Sequence, residues 1–208
     1  MAQAADALCA GCEMDLPWLG PACARCALPI DRGAVCGACS IHRAKFDAAR
    51  ACFAYRFPLD RLVQRFKFAG DLATGRWLGE RLAASLRGES ADVIVVPPLG
   101  RSRLRERGFN QALELAKAVS RALHVPYAAR GLVRVREGEA QSGLSRSERA
   151  RNLRGAFRCD APVQGKHVAL VDDVLTTGAT AEEIARVLKA AGAARVSVWS
   201  LARTLLPG

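Results

Sequence analysis

The sequence lacks the features of membrane-inserted and secreted proteins. No stretch approaches the roughly 18 uninterrupted apolar residues that a transmembrane helix needs. The amino terminus has neither the positively charged start nor the apolar core of a secretory signal. These absences predict a cytoplasmic protein that does not insert into membranes.

Several functional motifs are also missing. There is no Gly-x-x-x-x-Gly-Lys-Ser/Thr sequence, which excludes the nucleotide-binding P-loop. The three histidines, His42, His124 and His167, share no motif, so none is predicted to act as a general base. Only three residues of segment 101–158 are aromatic, which gives little support for a surface that stacks on bases.

The chain does have the composition of a globular protein with an uneven charge. Its 208 residues can bury a sizeable core, and 50% apolar and 25% charged content is ordinary. Residues 101–158 carry 14 Lys/Arg and 5 Asp/Glu, a net of +9 out of +11 for the chain, whereas residues 1–60 balance at 6 against 6. The central segment could therefore attract polyphosphate or single-stranded DNA.

The apolar pattern predicts an α/β fold. Alternating strands and helices favour a doubly wound, mainly parallel sheet, whose ligands bind at the carboxyl ends of the strands. The predicted strands are 46–55, 93–96, 167–171 and 196–201, and the predicted helices are 59–68, 72–86, 111–123 and 181–191. In this arrangement segments 97–107 and 172–180 should share one edge of the sheet.

Two adjacent carboxylates follow the apolar strand at 167–171. Asp172 and Asp173 offer acceptor oxygens that suit ribose hydroxyls or a hydrated cation, and both can reach a ligand if the strand ends there. The plainer alternative is a strand end that carries two solvated acids.

A loop of small residues, 176–180, comes next and opens a helix. Backbone N–H groups at a helix start can hold a phosphate, and Gly178 permits backbone angles that other residues resist. Thr180 is predicted to cap a helix that begins at Ala181. An ordinary turn is the competing interpretation.

Six of the eight cysteines form three C-x-x-C pairs, a spacing that favours zinc. Two pairs supply four thiolates to one tetrahedral ion. Turn-forming residues between the second and third pairs predict a structural zinc site at Cys23, Cys26, Cys36 and Cys39. The remaining pair, Cys9 and Cys12, is left over and is either vestigial or redox-active.

Together, the motifs resemble the ComF family, whose members are similar to type I phosphoribosyltransferases and carry an amino-terminal zinc module. Segment 168–180 resembles the phosphoribosyl pyrophosphate signature, and segments 101–111 and 141–157 resemble regions specific to the family. The resemblance implies a zinc-ribbon module at 1–44 and a phosphoribosyltransferase-like domain at 45–208. Family members often carry four C-x-x-C pairs, and this chain lacks the first.

The resemblance also implies roles for individual residues. Asp172 and Asp173 would hold the ribose 2- and 3-hydroxyls, and Arg101 would contact the departing pyrophosphate together with Mg²⁺. A solvated arginine face is the alternative for Arg101 and its neighbours. The residues expected to wrap the 5-phosphate, chiefly through backbone N–H groups, are Val174, Leu175, Thr176, Thr177, Gly178, Ala179 and Thr180. The residues that belong to a family-specific region, expected to be a mobile loop that closes over the ligand, are Gln141, Ser142, Arg149, Asn152 and Arg154. An exposed structural helix from Ser145 is the competing interpretation.

The function implied is transfer of a phosphoribosyl group from phosphoribosyl pyrophosphate to a nitrogen acceptor that the sequence does not identify. Some members of the family are linked to DNA uptake in natural transformation, so single-stranded DNA or competence proteins are expected partners. The alternative is a non-catalytic competence protein that senses a sugar phosphate and binds DNA or a partner.

Overall fold

A five-stranded sheet lies at the centre of the protein, in a computed structural model that describes residues 8–42, 44–136 and 152–205. The strands are β1 Ala48–Ala54, β2 Val93–Val95, β3 Tyr127–Ala128, β6 His167–Leu175 and β7 Arg195–Arg203. They pair in the order β1-β7-β6-β2-β3, and every pair is parallel. A small antiparallel pair, β4 Leu132–Arg134 and β5 Phe157–Cys159, lies apart from this sheet.

The helices alternate with the strands, as a doubly wound sheet requires. They are α1 Ala10–Met14, α2 Gly37–Ile41, α3 Leu59–Phe68, α4 Leu72–Ser85, α5 Arg101–Arg107, α6 Gln111–Leu123 and α7 Ala179–Ala190. Within the described ranges, no helix is both long and apolar enough to span a bilayer.

The two faces of the sheet are covered by different layers. Along β6, Ala169 and Val171 join the core formed with α3, α4 and α6, while Val168 and Leu170 join the core formed with α7. This alternation follows from the strand geometry, in which successive side chains point to opposite faces. The predicted doubly wound, mainly parallel fold is therefore confirmed.

The cysteine-rich amino-terminal segment, residues 8–42, packs against the edge of this sheet. Trp18 lies beside Phe53 of β1, with ring centroids 4.5 Å apart and an antiparallel bridge between the two residues. Leu16 and Ala27 of the segment are buried in the two cores, with 5% and 1% of their surface exposed. The segment therefore shares its apolar contacts with the main domain.

Most predicted elements lie where the sequence placed them, with three informative differences. The helices α3 and α6 match the predicted bounds, and Asn110 caps α6 by accepting a hydrogen bond from the N–H of Ala112 at 3.0 Å. Residues 101–107, expected to form part of a loop, are the helix α5. The other two differences, at the ends of β6 and α7, fall in the candidate site.

Candidate functional site

The acid pair lies inside β6. The prediction that the strand ends before Asp172 is wrong, because β7 continues beside β6 and pairs Asp172 with Ser200 and Leu175 with Arg203. A neighbouring strand therefore extends β6 through both carboxylates. Each acid is half-buried near the carboxyl end of the sheet, which is the edge where ligands of parallel sheets bind.

A lysine that belongs to no recognised motif contacts the acid pair. Lys67, in the last turn of α3, places its Nζ 2.5 Å from Oδ2 of Asp173, and both side chains are only 17% exposed. The contact brings together a residue of α3 and a residue of β6. The acid pair thus has its own counter-cation, held against Asp173.

Burial and charge make ionisation of the first acid unfavourable. Burial and then the Asp173 carboxylate raise the pKa of Asp172 well above its usual range, although the Lys67 charge acts in the opposite direction. A carboxylate in this setting gains from hydrogen-bond donors or a cation that a ligand supplies. The pair is therefore suited to accept hydrogen bonds from vicinal hydroxyls.

Because the pKa of Asp172 is raised in the folded protein, this residue should lower the free energy of unfolding at neutral pH. Stability from a group with a raised folded-state pKa is full below its ordinary value, about 3.9, and is lost as pH rises through the folded-state value. We therefore expect Asp172→Asn to raise the melting temperature at pH 7 by a few degrees, since about 1 kcal/mol corresponds to about 2–4 °C in a chain of this size.

Thermal unfolding at pH 7 and near pH 4 measures this effect. The gain should shrink at the lower pH, where the carboxyl of the folded wild type is protonated and that of the unfolded chain is about half protonated. Asp31→Asn, at an exposed aspartate, is the matched control and should leave the melting temperature unchanged. A melting temperature for Asp172→Asn at or below that of the wild type at pH 7 would contradict the prediction.

The loop after β6 opens α7 earlier than predicted. Gly178 occupies the N-cap position with φ of 84°, a left-handed conformation that favours glycine, and the helix begins at Ala179. Thr180 therefore lies in the first turn, and its predicted role as the cap is wrong. The loop hydroxyl that contacts the helix start is that of Thr177, whose Oγ1 accepts from the N–H of Ala179 at 3.4 Å.

Two residues of the predicted phosphate segment use their backbone N–H groups within the protein. The N–H of Val174 donates to Oδ1 of Asp173 at 2.8 Å, and that of Leu175 donates to Oγ of Ser200 at 3.0 Å. The Leu175 side chain is in the core, with 3% exposed. Residues 176–180 are therefore the better candidates for holding an anion.

The arginines of α5 divide into two groups. The guanidinium of Arg107 lies 5.0 Å from the ring centroid of Phe68 and donates to Oε1 of Gln111 at 3.0 Å, so this residue packs against its neighbours. Arg101, the first residue of α5, is exposed on the same edge of the sheet as the acid pair, because β2 and β6 are adjacent and parallel.

Arg101 belongs to an open groove of about 750 Å³ between α5 and the β3–β4 segment. Its floor is largely apolar, with Leu132 and Val135 among the lining residues. The basic residues that line it are Arg101, Arg105, Arg130 and Arg134. An apolar floor with a basic rim suits a ligand that is anionic and carries apolar faces.

The predicted zinc ligands come together. The Sγ atoms of Cys23, Cys26, Cys36 and Cys39 all lie within 4.8 Å of one another. Those of Cys26 and Cys36 are 3.7 Å apart, close to the roughly 3.8 Å expected between thiolates bound at about 2.3 Å around a tetrahedral zinc ion. The donor set and its spacing fit structural zinc.

The electrostatics of the cluster favour a thiolate at one position. Burial opposes ionisation of Cys23, but backbone N–H groups, foremost that of Cys36 at 3.3 Å from its Sγ, lower its pKa to about 6. A low thiol pKa favours the deprotonated form that metals require. Cys9 and Cys12 lie outside this cluster, exposed at the start of α1.

The remaining predicted residues have structural positions or fall outside the described residues. The carbonyl oxygens of Asn152 and Arg154 accept hydrogen bonds from Nη2 of Arg136, at 3.1 and 2.9 Å. Gln141, Ser142 and Arg149 lie outside the residues that the structure describes.

Comparison with known proteins gives matches over both parts of the chain. A phosphoribosyl transferase domain model matches residues 78–204, and a double zinc ribbon domain model matches residues 1–40. The DNA utilization protein YhgH of Escherichia coli K12 is 37% identical over 88% of this chain and 84% of its own length.

Two further relatives carry names connected with competence. Competence protein F of Haemophilus influenzae is 34% identical over 96% of this chain and 92% of that protein, and competence protein ComFC of Bacillus subtilis is 30% identical over 96% and 85%. The chain therefore belongs to the ComF family of phosphoribosyltransferase-like proteins with an amino-terminal zinc ribbon.

Proposed function

We propose that the protein binds phosphoribosyl pyrophosphate with Mg²⁺ and transfers its phosphoribosyl group to a nitrogen acceptor. The observation that carries this proposal is the continuity of the acid pair in β6 with the loop 176–180 that opens α7. One short segment thus offers acceptors for sugar hydroxyls and donors for a phosphate, at the ligand-binding edge of the sheet.

The ribose part of the ligand would meet the two carboxylates. Asp172 and Asp173 accept hydrogen bonds from the 2- and 3-hydroxyls, and the Lys67 ammonium contacts the Asp173 carboxylate beside them. The 5-phosphate would rest on backbone N–H groups from Thr176 to Thr180 at the start of α7. Fixing both ends of the ribose phosphate holds its C1 in a defined place.

The oxygens of the acid pair also fit the ligand preference of Mg²⁺, which binds to carboxylate oxygens in proteins. When bound, Mg²⁺ neutralises charge on the diphosphate. Arg101, at the start of α5, supplies a further positive charge to that group as it departs. The acceptor nitrogen forms a bond to C1 as the bond from C1 to the pyrophosphate oxygen breaks, and the electron pair of that bond leaves with pyrophosphate.

The test is pyrophosphate release. Zinc-loaded protein is incubated with Mg²⁺, phosphoribosyl pyrophosphate and a panel of nucleobases and other nitrogen compounds. We expect release that depends on one acceptor class and is lost with Asp172→Asn and Asp173→Asn combined. If the protein binds the donor but no acceptor elicits release, the alternative of a non-catalytic sensor of a sugar phosphate is favoured.

A second function, binding of single-stranded DNA, is supported by the arginine-lined groove. Phosphates would pair with Arg101, Arg105, Arg130 and Arg134 while the apolar floor contacts bases. The names of the relatives, DNA utilization protein and competence protein, agree with a partner of this kind. DNA or a competence protein remains the proposed macromolecular partner.

Reversal of two charges tests the groove. Arg101→Glu with Arg105→Glu should weaken retention of single strands and lower the slope of log affinity against log salt by about 1.4, at about 0.7 for each lost phosphate contact. Arg87→Glu with Arg121→Glu changes the net charge equally at exposed positions outside the groove. Equal retention by the two double variants would rule out the groove as the DNA site.

A further inference from the structure

One buried arginine connects the cysteine cluster to the proposed phosphate loop. Arg203 is the last residue of β7, and only 5% of it is exposed. Its Nε donates to the carbonyl of Cys26 at 2.9 Å. Its Nη1 donates to the carbonyl of Leu175 at 2.8 Å and also to that of Thr176.

The contacts to Leu175 and Thr176 determine where the next backbone N–H groups point. A peptide unit is planar and trans, so its C=O and N–H point in opposite directions. Because Arg203 holds the carbonyls of Leu175 and Thr176, the N–H groups of Thr176 and Thr177 must point away from the guanidinium. These two N–H groups are the first donors of the proposed phosphate loop.

The contact to Cys26 reaches into the metal cluster. Cys26 is one of the four clustered thiols, and the next residue, Ala27, is 99% buried and has φ of 56°, a conformation that non-glycine residues resist. Ala27 also donates its N–H to the carbonyl of Cys23 at 2.9 Å, which closes the knuckle. A metal bound by both cysteines would hold this turn, and with it the Cys26 carbonyl that Arg203 contacts.

The rigid shape of the guanidinium makes it suited to join the two places. Arginine presents its N–H donors in one fixed plane, so the Cys26 carbonyl on Nε and the loop carbonyls on Nη1 are held in a set relation. A lysine has a single ammonium group on a flexible chain, so it lacks a second donor group held at a fixed distance from the first. A displacement of Cys26 is therefore passed to the loop through one side chain.

We propose that Arg203 is a positioning residue that couples zinc occupancy of the cysteine cluster to binding of the sugar 5-phosphate. The coupling rests on the proposed function, because that function supplies the ligand. The structural part of the proposal, that Arg203 orients the Thr176 and Thr177 N–H groups, can be tested without any ligand. By linkage, zinc strengthens phosphate binding by the same factor by which the phosphate strengthens zinc binding.

Amide NMR spectra of the ligand-free protein test the structural part. Removing zinc with a chelator should shift the Thr176 and Thr177 amide resonances of the wild type, whereas in Arg203→Met the same two resonances should be displaced already and respond little. Arg195→Met, at the exposed start of β7, is the control and should behave as the wild type. Zinc-dependent shifts of equal size in the wild type and in Arg203→Met would overturn the proposal.

Ribose 5-phosphate is the probe for the energetic part. Its affinity for the wild type, measured by calorimetry, should fall at least about fivefold on zinc removal, and ribose 5-phosphate should raise the zinc affinity, measured against a competing chelator, by the same factor. In Arg203→Met, affinity should be weak with or without zinc. Arg203→Lys, which keeps the charge, serves if the methionine variant fails to fold, and should also lose the zinc dependence.

The two proposals fail in different ways. Zinc-dependent Thr176 and Thr177 resonances without any binding of ribose 5-phosphate or phosphoribosyl pyrophosphate would overturn the proposed function. The orientation of the two N–H groups by Arg203 would still stand. Binding that is unaffected by zinc removal would overturn the coupling and leave the proposed function standing.

Discussion

Replacing both acids, Asp172→Asn with Asp173→Asn, is expected to weaken binding of phosphoribosyl pyrophosphate at least about a hundredfold. Each hydrogen bond to a charged group contributes about 1.5–3 kcal/mol, and the loss of two such bonds corresponds to a factor of this size or more. Asparagine keeps the shape of the side chain, so the change isolates charge from packing. Calorimetry with Mg²⁺ present measures the affinity directly.

The contribution of Lys67 makes this prediction more specific. In the double variant the ammonium loses the carboxylate that it contacts at 2.5 Å, so the positive charge of Lys67 is left without this partner. Lys67→Met in the same background removes this charge and should not restore binding, because asparagine offers the hydroxyls only a neutral amide oxygen in place of a carboxylate. Recovery of affinity in that triple variant would mean that charge balance, and not hydroxyl recognition, is the role of the acids.

A matched control separates these effects from general loss of negative charge. Asp31→Asn with Asp160→Asn removes the same two charges at exposed positions. We expect this control to bind phosphoribosyl pyrophosphate as the wild type does. Normal binding by the Asp172 and Asp173 double variant would refute the role assigned to the pair.

Local sequence patterns were sufficient where structure depends on neighbours in the chain. The amphipathic spacing of α3 and α6 predicts their bounds, and the two C-x-x-C pairs predict a cluster because each knuckle is a local turn. The helix α5 lies between Gly100 and Gly108, and glycine at both ends is a signal that could have identified it.

Sequence patterns failed where a distant partner decides the outcome. The strand β6 continues through two charged residues because β7 pairs with it, and strand length is then set by the neighbour. The Lys67 contact to Asp173 and the Arg203 contact to Cys26 join residues that are 106 and 177 positions apart. Neither contact has a local motif, so only the folded chain reveals that the acid pair and the loop have these partners.

Loss of one cluster thiol is expected to have the largest effect on the amino-terminal segment. Cys39→Ser should reduce bound zinc from about one ion per chain to nearly none, because structural sites need all four ligands. Zinc-finger peptides gain about 10–16 kcal/mol on binding zinc, which is as large as the whole stability of many domains. The segment should therefore unfold locally and become a substrate for proteases.

Cys9→Ser with Cys12→Ser is the matched control. Both thiols are exposed and lie outside the four-cysteine cluster, so metal analysis should still find about one zinc per chain and proteolysis should resemble that of the wild type. A fall from two ions to one in this control would show a second metal site that uses Cys9 and Cys12.

The extent of unfolding in Cys39→Ser also tests the proposed boundary between a zinc module at 1–44 and a phosphoribosyltransferase-like domain at 45–208. Because Leu16 and Ala27 contribute to the two cores of the main domain, unfolding of the segment should lower the melting temperature of the remainder as well. Cleavage confined to residues before 45, with an unchanged melting transition, would mean that the domain does not depend on these contacts. A lowered transition would mean that zinc stabilises both parts of the chain.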